Sequence, residues 1–312
     1  MAYSDPVEKS HLYSVFFAPR GYTRMASLGM QIAASYLSPF DKLIGVVGEG
    51  GSGKSMLIKG MFPGLELTND DEGVNVRPLP ILSVGESPSG FYSTHTYHLD
   101  IRFEAAFTQM HVLAAAILEA VEMGKRVIVE HFELVYPFLE RNANLLIGIG
   151  EEVIITRPTL FGPEPQDIAE IVFRSIKFRR MTHTAEDLCE YYLKHTAKSK
   201  EPYIHSDVRH GFVLSFQNKP EVDLDDMEKA INDIIAQDIT ISYKDDQHIL
   251  IGDREHACTG PRIHVSSTAE IRKFALNKEF MIEPDTGRYL MVGIVGNHAP
   301  MKIKDLNKIM LA

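Results

Sequence analysis

Cysteine is scarce in this chain, and long apolar runs are missing. Only two cysteines, Cys189 and Cys258, occur among 312 residues, which argues against a disulfide framework and suits a reducing compartment. No apolar stretch approaches the roughly 18 residues that indicate a membrane-spanning helix. The first residues, MAYSDPVEKS, lack the apolar core of a signal peptide. We therefore expect a cytoplasmic protein without a membrane partner.

Positive charge is also in short supply. Lysine and arginine number 32 against 42 aspartates and glutamates, so the formal net charge is −10. A protein of this sign is not a general polyanion binder, because contacts to phosphates need clustered lysine and arginine. We expect no DNA partner.

Length and pattern together predict two domains. A chain of 312 residues exceeds the usual size of one domain. The turn-rich segment Thr159-Leu-Phe-Gly-Pro-Glu-Pro165 ends a region in which strand and helix patterns alternate. We place a nucleotide-binding domain at 1–165 and a separate α+β domain at 166–312.

The most specific motif lies in residues 46–56. Gly48-x4-Gly53-Lys54-Ser55 fits the phosphate-binding loop (P-loop) pattern, with an apolar strand pattern before it and a helix pattern after it. In such a loop Lys54 would reach the β- and γ-phosphates and Ser55 would hold Mg²⁺. We therefore expect ATP and Mg²⁺ as cofactors. The predicted nucleotide-binding residues are Gly48, Gly50, Gly51, Ser52, Gly53, Lys54, Ser55 and Met56.

Alternating strand and helix patterns over 42–157 predict the α/β architecture of a P-loop NTPase, a doubly wound, mainly parallel sheet. Asp70 and Asp71 follow one predicted strand, and Glu130 ends another. Acids at these strand ends would bind the metal or activate the attacking group. We expect Lys54, these two aspartates and Glu130 to be catalytic, although ordinary turn chemistry explains Asp70 and Asp71 equally well.

The order of these segments resembles the nucleoside kinases of the uridine kinase type. Asp70-Asp71 matches that family's Asp-Asp strand end. Glu130-His131 matches its later Glu-Gly, with histidine in place of glycine. Tyr97-His98-Leu-Asp100-Ile-Arg102 is similar to a substrate-binding segment. It is equally similar to the His-x-Asp-x-x-Arg segment of the small ATPase of the threonylcarbamoyl-adenosine tRNA pathway.

The second half resembles the second additional domain, the editing domain, of alanyl- and threonyl-tRNA synthetases. The resemblance covers residues 178–285. It is carried by His183-Thr-Ala-Glu-Asp187 and by His264-Val-Ser-Ser-Thr-Ala-Glu-Ile271. In that family two histidines and a Cys-x3-His pair bind zinc or shape a deacylation pocket. The resemblance therefore implies a zinc site at His183, Asp187, Cys258 and His264.

This sequence departs from the editing-domain pattern at two points. Asp187 replaces the second histidine, and two extra residues separate Cys258 from His264. Cysteine, histidine and aspartate are all zinc ligands, so a metal site stays open. The alternative is an editing fold that keeps its shape without the chemistry.

These features favour an ATP-binding P-loop enzyme, either a phosphotransferase or an ATPase that uses Mg-ATP. The editing-like domain would recognise a nucleoside, another small molecule or the tRNA acceptor end. Two alternatives remain: an aminoacyl-tRNA deacylase that acts in trans, and a non-enzymatic nucleotide-gated binding protein. No Asn-Lys-x-Asp segment occurs in the chain, which weakens a GTPase interpretation without settling ATP against GTP.

Overall fold

The computed structural model describes residues 13–65, 67, 79–86, 95–296, 303 and 306–307. The chain forms two compact units. Unit 1 comprises Met1–Phe16 and Thr23–Arg174, and unit 2 comprises Phe17–Tyr22 and Ser175–Ala312. The short segment Phe17–Tyr22 therefore belongs with the second half of the chain. Within the described residues, no helix has the length and apolarity that crossing a membrane requires.

Unit 1 contains, among its described residues, a six-stranded sheet in the order β1-β6-β5-β2-β4-β3. The strands are β1 (Tyr13–Phe17), β2 (Leu43–Gly48), β3 (Thr96–Asp100), β4 (Arg126–Glu130), β5 (Leu145–Ile149) and β6 (Glu152–Thr156). β2 pairs in parallel with β4 and β5, and β3 pairs in parallel with β4. Every residue of β2 is buried, which explains its uninterrupted apolar sequence.

The sheet is mixed: the pairings β2–β4, β2–β5 and β3–β4 are parallel, as expected, and one edge of the sheet departs from that pattern. β6 runs antiparallel to β5. Only Gly150 and Glu151 separate the two strands, and parallel neighbours need a crossover of about a dozen residues or more. The protein is thus a mixed α/β protein with one mixed sheet in unit 1 and antiparallel sheets in unit 2.

Helices cover the unit 1 sheet. They are α1 (Tyr22–Tyr36), α2 (Lys54–Met61), a one-turn helix (Ile101–Glu104), α3 (Met110–Glu122) and α4 (Phe132–Leu139). The segment between β3 and α3 forms only one short helical turn. Asp100 caps the one-turn helix by accepting a hydrogen bond from the Phe103 N–H at 3.2 Å, and α3 starts only at Met110.

Helix α5 (Pro165–His195) contains the boundary between the units, which falls after Arg174. The other elements of unit 2 are β7 (Tyr203–Val208), β8 (Gly211–Phe216), α6 (Leu224–Ala236), β9 (Ile241–Asp245), β10 (His248–Ile251), β11 (Arg254–Ala257), β12 (Ala275–Leu276), β13 (Met281–Ile282) and β14 (Tyr289–Ile294). The strands form one sheet in the order β11-β10-β9 and another in the order β12-β14-β8-β7, with β13 on β14. One apolar core joins the C-terminal part of α5 to α6 and to these sheets.

A buried ion pair ties together the start of β2 and the end of β6 in unit 1. The Arg157 guanidinium donates to Asp41 Oδ1 at 2.5 Å and to Asp41 Oδ2 at 2.9 Å. It also donates to the Tyr36 carbonyl at the end of α1. Asp41 is 3% exposed and Arg157 is 9% exposed. Neither charge has ready access to water, so each depends on the other.

Replacing Asp41→Asn should lower the free energy of unfolding by about 3–5 kcal/mol, because it leaves the Arg157 charge buried and unpaired. Urea denaturation followed by circular dichroism measures the change. Glu119→Gln, an exposed change on α3, is the control and should leave the midpoint nearly unchanged. Equal midpoints for the two variants would contradict this account of the ion pair.

Candidate functional site

The glycine-rich loop connects β2 to α2 in unit 1. Gly53 is the N-cap residue of α2 and has φ 95°, a left-handed conformation that side chains disfavour. A Cβ built on Gly50 would meet no heavy atom within 4 Å, so the loop borders open space there. The loop therefore leads directly into the N-terminus of α2, a position at which backbone N–H groups can bind an anion.

Lys54, Ser55 and Glu130 come together beside this loop. The Ser55 hydroxyl donates to Glu130 Oε1 at 3.2 Å. Lys54 Nζ lies 3.7 Å from Glu130 Oε2 and donates to the Glu49 carbonyl at 3.1 Å. These contacts join a cation, a hydroxyl and a carboxylate, which are the groups that bind phosphate and Mg²⁺.

Glu130 is 3% exposed and lies at the end of β4. Burial opposes its ionisation. The hydrogen bond from His98 and the charges of His98, Lys54 and His131 outweigh burial and lower the pKa of Glu130 below its usual value. His98 Nε2 lies 3.1 Å from Glu130 Oε1. Glu130 is therefore a buried carboxylate that these neighbours keep ionised at neutral pH.

Of the predicted catalytic residues, Lys54 and Glu130 lie together, whereas Asp70 and Asp71 lie outside the described residues. The predicted nucleotide-binding residues run without a gap from Gly48, which ends β2, to Met56 on α2. His98 was not singled out as a site residue. Its sequence signal was its place in the segment Tyr97-His98-Leu-Asp100-Ile-Arg102 and in a strand that is buried at Tyr97, His98 and Leu99.

A second cluster lies in unit 2 and brings together Asp187 from α5, Cys258 after β11, and His264. His264 Nε2 lies 2.7 Å from Asp187 Oδ2 and 3.8 Å from Cys258 Sγ. One ligand atom from each residue lies within 4.8 Å of the others. The three side chains are buried.

The surroundings of the His264 ring fit a bound metal. Its Nδ1 lies 3.2 Å from the Pro261 carbonyl, and its Nε2 faces the Asp187 carboxylate, so both ring nitrogens face acceptors. Burial, reinforced by the charge of Arg20, lowers the pKa of His264 to about 3. A neutral imidazole has one N–H and satisfies only one of these acceptors. An N–H donated to Pro261 leaves the Nε2 lone pair facing Asp187, which is the usual arrangement of a metal-binding histidine.

His183, the fourth predicted ligand, is oriented differently. Its Nε2 lies 3.9 Å from Asp207 Oδ1. The Asp187 carboxylate instead has His256 Nε2 at 3.7 Å from Oδ1. His256 is 5% exposed, and this nitrogen has no hydrogen-bond partner among the described residues. Burial lowers the pKa of His256 to about 4, so its lone pair is available at neutral pH.

Arg20 also contacts this cluster and was missed by sequence analysis. It lies 167 residues before Asp187 in the segment Ala18-Pro19-Arg20-Gly21. No local pattern there indicates a buried arginine.

No protein-family model matches this sequence, and no curated protein is significantly similar to it. The two clusters are therefore the features of this protein from which its function is inferred.

If Asp187, Cys258 and His264 hold a metal, Cys258→Ala should remove the thiolate-to-metal absorption band of the Co²⁺-substituted protein. The matched control is Cys189→Ala, because Cys189 is buried and burial raises its pKa well above the usual value. That variant should keep the band. A band that survives loss of Cys258, or that disappears with Cys189, would contradict the assignment.

Proposed function

We propose that this protein binds a nucleoside triphosphate with Mg²⁺ and transfers or hydrolyses its γ-phosphate. The observation that carries this proposal is the convergence of Lys54, Ser55 and Glu130 beside the glycine-rich loop. ATP is the nucleotide we favour, as in the P-loop enzymes that the sequence resembles.

Each residue has a role that its position supports. Lys54 now bonds the Glu49 carbonyl and Glu130, and would exchange these contacts for the β- and γ-phosphates. The Ser55 hydroxyl would bind Mg²⁺ directly, and Glu130 would bind it directly or through water. Catalysis would come from positioning the phosphates and neutralising their charge, which is how phosphoryl transfer is generally accelerated.

His98 supports Glu130 in this scheme. Its contact with Glu130 Oε1 is buried on both sides and would fix the carboxylate orientation toward Ser55. A buried carboxylate that is held in one rotamer loses little entropy when the metal arrives.

Unit 2 would recognise the phosphate acceptor or the regulatory ligand. Its resemblance to the editing domain favours a nucleoside, a small molecule such as an amino acid, or the tRNA acceptor end. These classes follow from the sequence resemblance alone.

The second candidate function is a metal-dependent deacylase that acts on aminoacyl-tRNA. It is favoured by the convergence of Asp187, Cys258 and His264 on one point. A zinc ion held by these residues would polarise an ester carbonyl or lower the pKa of a bound water. A non-enzymatic nucleotide-gated switch is a third alternative, marked by tight binding without turnover.

Lys54→Ala should abolish release or transfer of the γ-phosphate and weaken nucleotide binding, because it removes the cation that contacts the phosphates. Lys59→Ala on the same helix is the matched control and should keep both properties. Labelled ATP, assayed alone, with a nucleoside panel and with bulk tRNA, measures turnover. Full turnover in Lys54→Ala would overturn the proposal.

Deacylation that survives this change but is lost in Cys258→Ala would select the second candidate.

Glu130→Gln should lower turnover by about 100-fold or more while nucleotide binding falls much less, because the amide keeps the size but not the charge that metal binding needs. Binding of a fluorescent ATP analogue and phosphate release, each measured over a Mg²⁺ titration, separate the two effects. The variant should require more Mg²⁺ for half-maximal turnover. An unchanged Mg²⁺ dependence would argue against Glu130 at the metal.

A further inference from the structure

Arg20 is a buried arginine that contacts the Asp187–Cys258–His264 cluster of unit 2. It is 3% exposed. Its Nη2 donates to Asp187 Oδ1 and, at 3.2 Å, to Cys258 Sγ, while its Nη1 donates to Glu186 Oε2 at 2.8 Å. One guanidinium thus holds two of the three candidate metal ligands. It approaches Asp187 through Oδ1, leaving Oδ2 facing His264.

The backbone around Arg20 is fitted to the loop that carries Cys258. Gly21 has φ 86°, and a Cβ on it would lie 3.1 Å from the Thr259 side chain. A Cβ on Gly260 would lie 3.3 Å from the Gly21 nitrogen and 3.4 Å from Arg20 Cγ. Arg179 Nη2 also donates to the Pro19 carbonyl at 3.1 Å. Both glycines therefore allow a close approach that fixes Arg20 over the loop.

The Cys258 sulfur accepts two hydrogen bonds. Arg20 Nη2 donates to it at 3.2 Å, and the Gly260 N–H donates to it at 3.3 Å. N–H donors to sulfur stabilise a thiolate, which is the form that binds a metal. Neither of these two hydrogen bonds involves His264.

The buried carboxylates around Arg20 carry more negative charge than Arg20 alone balances. Glu186, Asp187 and Glu190 are three carboxylates with side-chain exposures of 2%, 0% and 12%. Arg20 contacts all three and supplies one positive charge. His205, which is 30% exposed, lies 2.7 Å from Glu186. A divalent ion at Asp187 would balance charge that Arg20 leaves uncompensated.

From these contacts we infer that Arg20 is a positioning residue of a metal centre formed by Asp187, Cys258 and His264. It would orient the Asp187 carboxylate and the Cys258 sulfur through these hydrogen bonds, as the outer-shell partners of metal ligands do. This inference rests on the metal site of the second candidate function, and it is independent of nucleotide turnover.

Cobalt titration of the full-length protein, first stripped of metal with a chelator, tests the inference. The thiolate-to-cobalt absorption reports metal at Cys258 directly, without an activity assay. Arg20→Met keeps much of the side-chain length and removes the donors, so the Co²⁺ affinity should fall by about 10- to 100-fold. Arg262→Met is the matched control, because Arg262 lies in the loop that carries Cys258 and contacts Tyr243 and Asp246 at the surface. It should bind Co²⁺ like the unmutated protein.

Far-UV circular dichroism would detect a folding defect in Arg20→Met. Arg20→Lys is a second, more conservative variant for the case in which Arg20→Met does not fold. Lysine keeps the charge but cannot reproduce the fork that reaches Asp187, Cys258 and Glu186 together, so about a 10-fold loss of affinity is expected. Unchanged affinity in a folded Arg20 variant would overturn the inference. Tighter binding would also overturn it and would show that Arg20 competes with the metal.

Absence of the band in the unmutated protein would remove the metal centre altogether. The nucleotide proposal would be unaffected by that result. Lys54→Ala, which impairs the nucleotide site, should bind Co²⁺ normally, so failure of one proposal is distinguishable from failure of the other.

Discussion

β2 pairs in parallel with β4, and Val46 lies opposite Glu130 in that pairing. Parallel strands end at the same edge of a sheet. The glycine-rich loop that follows β2 and the acid that ends β4 must therefore meet there. The Ser55–Glu130 contact follows from this register. A shift of β4 by one residue would turn Glu130 to the other face of the sheet.

Each cluster contains a buried carboxylate, but the side chains that contact the two carboxylates differ. Glu130 is surrounded by Lys54, Ser55 and His98. In the proposed nucleotide site these donors would exchange Glu130 for the phosphates and the metal. Asp187 is held between the fixed guanidinium of Arg20 and the ring of His264. A buried charge is costly unless it is paired. The first arrangement suits a site that exchanges ligands, and the second suits a site that keeps its cation.

The local sequence predicted the structure correctly where a single strand, loop or helix determines the geometry. The strand and helix that flank the glycine-rich loop and the strand that ends at Glu130 were predicted at their correct places, because glycine spacing and apolar runs act locally. The antiparallel direction of β6 depends on a two-residue connection rather than on the strand itself. His98 and Arg20 were missed because they act through partners far away in the chain. Arg20 lies 167 residues from Asp187, and its approach depends on two glycines in different segments. Pairings of this kind are decided by tertiary packing. The local spacing of apolar and polar residues does not indicate them.

The arrangement of the second cluster distinguishes a metal centre from a cysteine nucleophile. In a nucleophilic triad the histidine uses one ring nitrogen for the cysteine and the other for the carboxylate. Here the same nitrogen, Nε2 of His264, faces both Asp187 and Cys258, while Nδ1 faces the Pro261 carbonyl. A single ring nitrogen cannot both accept the proton of the cysteine thiol and make the hydrogen bond to the carboxylate that orients the ring. Three ligand atoms that converge on one point are instead the geometry that a cation requires. The arrangement of these three side chains therefore differs from that of a cysteine–histidine–carboxylate nucleophilic triad.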